Sequence, residues 1–454
     1  MKEPIMSNPL VAKYGETRLP RYTSYPTAPA FSSAIGPDVY VEALAHLEQD
    51  QPVSLYLHVP FCRSMCWYCG CHTTVTKQDR PILEYLDVMH QEIELVAFAA
   101  RKPIMVKDVH FGGGTPTIVN PDEFRALIKK LRNAFDFRSD CSVAVEIDPR
   151  TLAAEMAGEL GESGVDRASP GVQSFDPVVQ AAVNRRQSVE QTNTTMSLLR
   201  ASGVSSINFD LIYGLPHQTV QSCIETVNIA IQMRPERFAV FGYAHIPAFK
   251  RHQRLIDEAA LPGAEERNAQ AEAIASELVA AGYVQIGLDH FALPDDALSI
   301  ASSRGEVRRN FQGYTTDTCE TLIGLGASAI GKLPMGYVQN EVAIGTYADR
   351  VTSGVLATGK GYRLTSEDRL RAGVIERLMC DFSVDLSVAA NSGFSADYLL
   401  TGNGRLRDLE ADGVITIVGG KLAVRQEARF MIRAVAAAFD AHLGMSGRTH
   451  SKAA

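Results

Sequence analysis

An α/β fold, a partial (β/α)6 TIM-like barrel, is what this sequence predicts, with a strap at its N-terminus and a smaller, mainly helical domain at its C-terminus. Three observations lead there. Six short apolar runs recur with amphipathic helical stretches between them, and strands that are apolar on both faces suit a parallel sheet covered by helices. The residues with chemical character fall just after those runs, where barrels keep their active sites. The 454 residues exceed the size at which a single core stops growing, so an appended domain is expected.

In chain order, residues 1–50 read as an N-terminal extension. Within it, Pro20–Ala28 is too aromatic and proline-stiffened for a solvated tail. It is either a strap packed on the barrel or a lid laying Arg21 and its tyrosines over the mouth. The first strand, Ser54–Val59, leads into a cysteine loop, and the second, Lys107–Phe111, into Gly112-Gly113-Gly114-Thr115-Pro116. The third, Ser142–Ile147, carries Glu146 and ends at Asp148. The fourth, Val165–Ser169, is followed by Gly171-Val172-Gln173-Ser174. The fifth, Ser206–Ile212, bears Asp210 and runs into Tyr213-Gly214-Leu215-Pro216, and the sixth is Phe238–Tyr243. A helix over Ala264–Ala281 and a strand over Tyr283–Leu288 precede Asp289-His290-Phe291. The barrel and its extension are placed at 51–347 and the C-terminal domain at 348–454. The helical pattern there sets in from about Leu364, with a strand pair near Val414–Val424 and a frayed tail over Ser446–Ala454.

The formal charge of −8 is spread thinly, which argues against a nucleic-acid surface. An acidic ligand would need a local basic pocket. The chain shows neither a basic-then-apolar leader nor an apolar run of the ~18 residues a membrane span requires, so a soluble, cytoplasmic protein is expected. No long apolar heptad argues for a coiled-coil partner, and a monomer is expected.

The eight cysteines are distributed unevenly. Cys62, Cys66 and Cys69 share one short loop at x3 and x2 spacing. Iron–sulfur clusters are held by thiolates, and a cube bound by three cysteines keeps one iron open for chemistry. Structural zinc is the alternative, but it takes paired C-x2-C or Cys with His, and only His72 lies near. Disulfides fit poorly, because Cys141, Cys223, Cys319 and Cys380 are scattered singly and read as buried thiols. Cys71 is either a spare ligand or a thiol packed beneath a cluster.

Other candidates have plain readings too. Gly113 and Gly114 expose bare backbone to a ligand, or simply make a tight turn. Glu146 and Asp210 accept hydrogen bonds from hydroxyl or ammonium groups, whereas Asp148 and Asp210 also suit turns and caps. Gln173 is a ligand contact or a turn amide. Arg185 and Arg186 are carboxylate partners or solvated charges. His58, His110, His245 and His290 read as hydrogen-bonded rim histidines, since no pair has metal spacing.

The cysteine spacing is similar to that of radical S-adenosylmethionine (SAM) enzymes. The wider set resembles one branch of them, the oxygen-independent coproporphyrinogen III oxidase (coproporphyrinogen dehydrogenase) family. The segments that carry the resemblance are Pro20–Ala28, Tyr56–Cys62, Cys71, Gly112–Pro116, Glu146–Arg150, Asp210–Pro216, Gly287–Ala292 and Asn310–Thr316. It implies a radical SAM barrel and a [4Fe-4S] cluster on Cys62, Cys66 and Cys69. It also implies two SAM molecules among Tyr56, Tyr68, Gly113, Gly114, Thr115, Glu146, Gln173, Arg185, Asp210, Ala244 and Ile330. The implied reaction is oxidative decarboxylation of two propionates of coproporphyrinogen III to vinyl groups, giving protoporphyrinogen IX in heme biosynthesis. A low-potential donor such as flavodoxin or ferredoxin would supply electrons. Four substrate carboxylates call for arginines at the mouth, and Arg21, Arg167 and Arg185 are the candidates. One departure stands out: Ser174 replaces the family's usual Asp after the glutamine, and Pro170 precedes it. Serine there resembles the related heme-chaperone branch, which is the alternative function; a non-catalytic metal-binding module is the third.

Overall fold

Six largely buried strands form the centre of the fold because residues that are hydrophobic on both faces are stable only when covered on both. In the computed structural model, which describes residues 9–15, 17–387, 389 and 393–444, these are β1 (Val53–Val59), β2 (Met105–Gly113), β3 (Asp136–Ile147), β4 (Arg167–Gln173), β5 (Ser206–Tyr213) and β6 (Arg237–Gly242). They lie side by side in chain order, all parallel. Helices connect them; Arg80–Ala100 and Ala154–Glu162 start without a side-chain cap, whereas the other α-helices start where a polar side chain caps the free amides. Ser188 and Thr219 do so in full capping boxes, a device worth about 1 kcal/mol each. The tail expected over 446–454 lies outside the described residues.

Beyond β6 the sheet turns antiparallel, with β7 (Val284–Ile286) at the edge and β8 (His290–Ala292) between it and β6. On the other side, β9 (Thr321–Leu325) adds to β1 as a seventh parallel strand, which the six-unit reading does not include. Then β10 (Ile330–Leu333), β11 (Gly336–Asn340) and β12 (Thr358–Arg363) continue antiparallel, making twelve strands in one sheet. The sheet therefore runs past the boundary expected at 347. The sequence of β12, Thr-Gly-Lys-Gly-Tyr-Arg, is poor in strand-forming residues, and only its pairing with β11 makes it a strand.

Two cores result. One fills the barrel and the space beneath helix α1 (Arg80–Ala100). The other belongs to the C-terminal unit, where helix α2 (Ser366–Asp381) packs on a three-stranded sheet of Ser383–Asp385, Lys421–Val424 and Ile415–Val418. Tyr22 and Tyr25 of the N-terminal strap are buried in this second core, not in the barrel. Arg433 donates to the carbonyls of Leu19 and Pro20, and Tyr22 to Asp440. The strap is thus fastened to the C-terminal unit and crosses to the barrel rim.

Candidate active site

The cysteine loop leaves β1 at Pro60 and is closed by a short parallel pair, Phe61–Cys62 with Thr74–Val75. The Thr74 amide donates to Pro60 (2.7 Å) and the Thr76 amide to Cys62 (3.0 Å). On its far side the loop hangs from the segment after β6. Gln253 donates to the Tyr68 carbonyl (3.0 Å), His252 lies 2.7 Å from that of Cys69, and Lys250 donates to that of Cys71 (2.9 Å). The loop is therefore held at both ends by barrel elements.

Polar groups are aimed at two of the three sulfurs. Thr115 Oγ1 and Thr73 Oγ1 lie 3.3 and 3.4 Å from Cys62 Sγ, and Arg150 Nη2 and Arg185 Nη1 lie 3.6 and 3.5 Å from Cys66 Sγ. Burial pushes the Cys62 thiol up, while the two threonines pull it back. Cys69 is drawn down to about 7, mainly by its hydrogen bond with Cys71, and Cys71 is raised by that same contact. Among the described residues no three His, Cys, Asp or Glu side chains converge as the ligands of a single metal ion. Three thiols on one loop, with hydroxyl and guanidinium donors turned to their sulfurs, have the donor chemistry of a thiolate-held cluster.

Around this loop the strand ends supply a polar rim. Gly113 has φ +118°, and a Cβ there would lie 2.9 Å from the Val59 carbonyl, so only glycine fits. The amide of Gly113 donates to Glu146 Oε2 (3.1 Å), and His110 Nε2 approaches the other Glu146 oxygen at 3.4 Å. Tyr56 lies 2.9 Å from His58 Nδ1 and stacks on His110. Asp210 accepts from Asn208 (2.8 Å) and Ser169 (3.2 Å). Burial, and then the nearby charge of Glu146, raise its carboxyl to about 7. Arg185 is buried and donates to the Gly171 carbonyl (2.6 Å), Gln187 (3.1 Å) and Asp148 (3.4 Å). Gln173 adopts φ +68° where β4 loses register with β5. Tyr68 packs against an apolar cluster that includes Val183 and Leu215. Ala244 follows β6, its carbonyl held by Gln253 (3.1 Å), and Ile330 opens β10 beside Gly324. Ser174 is buried, its hydroxyl 3.4 Å from Thr226 and accepting the Asp176 amide. It serves the turn into the next helix.

The candidate arginines separate. Arg21 reaches the rim, donating to the Gly242 carbonyl at 2.6 Å. It is open to solvent yet surrounded by protein, and burial lowers its pKa despite the neighbouring Asp289. Arg167 is a correction. It is the first residue of β4, at the amino end of the barrel, where it pairs with Asp108 at 2.7 Å. It cannot line a mouth at the other end. Arg150 and Arg309 belong to the rim but were not singled out from the sequence. Their only signal was position, Arg150 closing the Glu146–Arg150 segment and Arg309 immediately preceding Asn310–Thr316.

Residues 56–230 match the Radical SAM superfamily. Over 445 residues, 98% of this chain and 99% of the relative, the sequence is 55% identical to an oxygen-independent coproporphyrinogen III oxidase of Bradyrhizobium diazoefficiens. The chain belongs to the oxygen-independent coproporphyrinogen III oxidase family. A relative of the same name from Salmonella typhimurium is 38% identical, with 97% of this chain and 96% of that one aligned. Among solved structures, the coproporphyrinogen III oxidase HemN of Escherichia coli, described as a radical SAM enzyme, superposes with a TM-score of 0.89 at 36% identity, covering 94% of this chain and 100% of that one. Family membership makes this protein a radical SAM oxidoreductase, a class that uses a [4Fe-4S] cluster and SAM. No helix among the described residues is long and apolar enough to cross a membrane.

Proposed function

We propose that the protein oxidatively decarboxylates two propionate side chains of coproporphyrinogen III to vinyl groups without oxygen, giving protoporphyrinogen IX, as a cytoplasmic monomer in anaerobic heme biosynthesis. The observation that carries this reading is the conjunction, in a chain so close to its relatives, of a three-thiol loop and an arginine-bearing strap at one mouth. Cys62, Cys66 and Cys69 would hold the cluster, with Thr73, Thr115, Arg150 and Arg185 steadying the sulfurs. The chemistry that a reduced cluster and SAM would supply is a 5′-deoxyadenosyl radical, able to take a hydrogen atom from the propionate carbon next to the ring; CO2 would then leave, and the remaining electron would pass to an outside electron acceptor.

The protein's own part is to bind, orient and exclude water. Gly113 and Gly114 bring bare backbone to the amino-acid end of SAM. Glu146 and Asp210 offer carboxylates to ribose hydroxyls or the ammonium group, and Tyr56 and Tyr68 wall the site. Gln173, Arg185, Thr115, Ala244 and Ile330 complete a set sized for two SAM molecules. Arg21 holds a substrate carboxylate from above. Electrons enter from a low-potential donor of the flavodoxin or ferredoxin type.

The test is anaerobic turnover of reconstituted protein with SAM, a low-potential reductant and coproporphyrinogen III. Vinyl product together with 5′-deoxyadenosine supports the reading. Deoxyadenosine without decarboxylated porphyrin moves the substrate elsewhere, and neither product from a fully loaded cluster favours a heme chaperone.

A further inference from the structure

With Arg167 at the wrong end of the barrel, the mouth must find its positive charge elsewhere, and beside the strap the structure gathers four guanidinium groups. Three of them are committed. Arg21 donates to Gly242, Arg267 donates to the Tyr243 carbonyl at 2.9 Å, and Arg433 is buried on the strap carbonyls of Leu19 and Pro20. The fourth, Arg309, differs. Its Nη2 donates to the Arg21 carbonyl at 3.2 Å, and its guanidinium lies over the Tyr314 ring, 4.3 Å from the centroid. Its Nε and Nη1 are buried and make no hydrogen bond.

Cδ lies cis to Nη1, so Nε–H and the free hydrogens of Nη1 face different flanks of the guanidinium, and each is a separate single donor to an oxygen acceptor. Leaving such donors buried and unpaired is costly, and when it occurs in a folded protein it calls for an explanation. Burial lowers the Arg309 pKa, but Tyr314 and then Asp289 raise it on balance; Asp289 gives it no hydrogen bond and instead pairs with His290 Nδ1 at 2.7 Å. Tyr314 is itself fixed, donating to the Met379 carbonyl and accepting the Leu288 amide, so the stacked guanidinium sits on a rigid platform. The strap residue next to it is the one whose side chain already reaches the rim.

We infer that Arg309 is a substrate-binding residue, one of whose unpaired nitrogens donates to a propionate carboxylate of the tetrapyrrole, beside Arg21. The inference rests on the substrate reading above. It assigns to Arg309 the recognition of a propionate that anchors the macrocycle while another is presented for reaction. Binding satisfies one of the idle donors, so recognition adds a hydrogen bond that the protein alone leaves unmade. It also ties substrate to the strap, because the same guanidinium holds the Arg21 backbone.

The experiment compares wild type, Arg309→Met and Arg309→Lys as reconstituted holoenzymes, measuring KM and kcat for coproporphyrinogen III, iron content and substrate-free deoxyadenosine formation. Arg309→Met is expected to raise KM at least about tenfold, equivalent to about 1.4 kcal/mol. Its kcat should change less than about threefold, with iron content and substrate-free SAM cleavage unchanged. Lysine keeps the charge without the planar guanidinium and should recover part of the loss. An unchanged KM in the methionine variant overturns the inference, and so does a loss confined to iron content or kcat, which is what a structural role would give. Should the methionine variant not fold, the lysine variant decides by the same KM criterion. Absence of turnover and of porphyrin binding in the wild type would instead overturn the substrate reading itself, and this inference with it.

Discussion

Glu92 is a buried carboxylate outside the reaction, and its removal should be felt at the SAM pocket. It lies on α1 and accepts from the Gly326 amide (2.6 Å), Asn340 Nδ2 (2.6 Å) and the Tyr347 hydroxyl (2.8 Å). Those donors come from the β9–β10 turn, the end of β11 and the helix Ile344–Thr352. Glu92→Ala leaves three buried donors without an acceptor, at about 1–3 kcal/mol each, so a loss of at least about 3 kcal/mol is expected, from a total that for most domains is about 5–15 kcal/mol. Because that turn leads directly into Ile330, the first residue of β10, SAM affinity should fall as well. The pH dependence has a definite sign. Burial raises this carboxyl from 4.5 to about 7, so across that interval the folded state holds the proton more tightly than the unfolded state. The stabilisation tied to that proton is full below pH 4.5 and declines as pH rises to 7, by about 3 kcal/mol in all. Glu92→Gln, which cannot ionise, should lack that decline. Urea unfolding of the holoenzyme followed by circular dichroism at pH 5 and pH 8 measures both effects. An alanine variant within about 0.5 kcal/mol of wild type, or a glutamine variant whose pH profile parallels wild type, would refute the reasoning.

The site makes further predictions. Asp210, raised to about 7, should lose its charge below that pH. SAM binding followed by calorimetry should therefore weaken as pH falls from 8 to 6, and Asp210→Asn should bind weakly at both; a wild-type affinity independent of pH counts against the assignment. Gly114→Ala would place a Cβ 2.5 Å from both the Phe61 carbonyl and Thr73 Oγ1. Iron content after reconstitution should drop severalfold, and full loading would contradict the packing argument. Arg21→Ala should raise KM for the porphyrinogen and spare the cluster spectrum. Arg167→Ala, which opens a pair with an Asp108 carboxyl already raised to about 6 by burial, should lower the melting temperature and leave KM unchanged; the opposite pattern would reverse their placement.

The sequence displays most clearly what is local. The cysteine spacing, the glycine run after β2 and the six apolar strands are each set within a few residues, and they reappear in the structure, though strand ends move by up to six residues, as where β3 begins at Asp136 instead of Ser142. Arg167 shows how a local signal misleads. Pro170-Gly171 reads as a turn, which places the end of the strand two residues after Arg167, yet both residues lie inside β4, with Pro170 paired to Ile147. Arg167 consequently starts the strand. The strap is a second case, because Tyr22 and Tyr25 looked apolar enough to be packed but their partners are in the C-terminal unit, as far as 418 residues along the chain at Asp440, a separation that no periodicity reveals. Arg309 is a third. Its surroundings exist only because Tyr314, Arg21 and Asp289 converge on it from three segments.

The most direct test of the central claim uses coproporphyrinogen III carrying deuterium on the propionate carbons next to the ring, turned over anaerobically by the reconstituted enzyme with SAM and a low-potential reductant. Mass spectrometry of both products should show deuterium transferred to 5′-deoxyadenosine in step with the vinyl groups formed. Vinyl product accompanied by unlabelled deoxyadenosine, or labelled substrate returned intact beside abundant deoxyadenosine, would contradict the account.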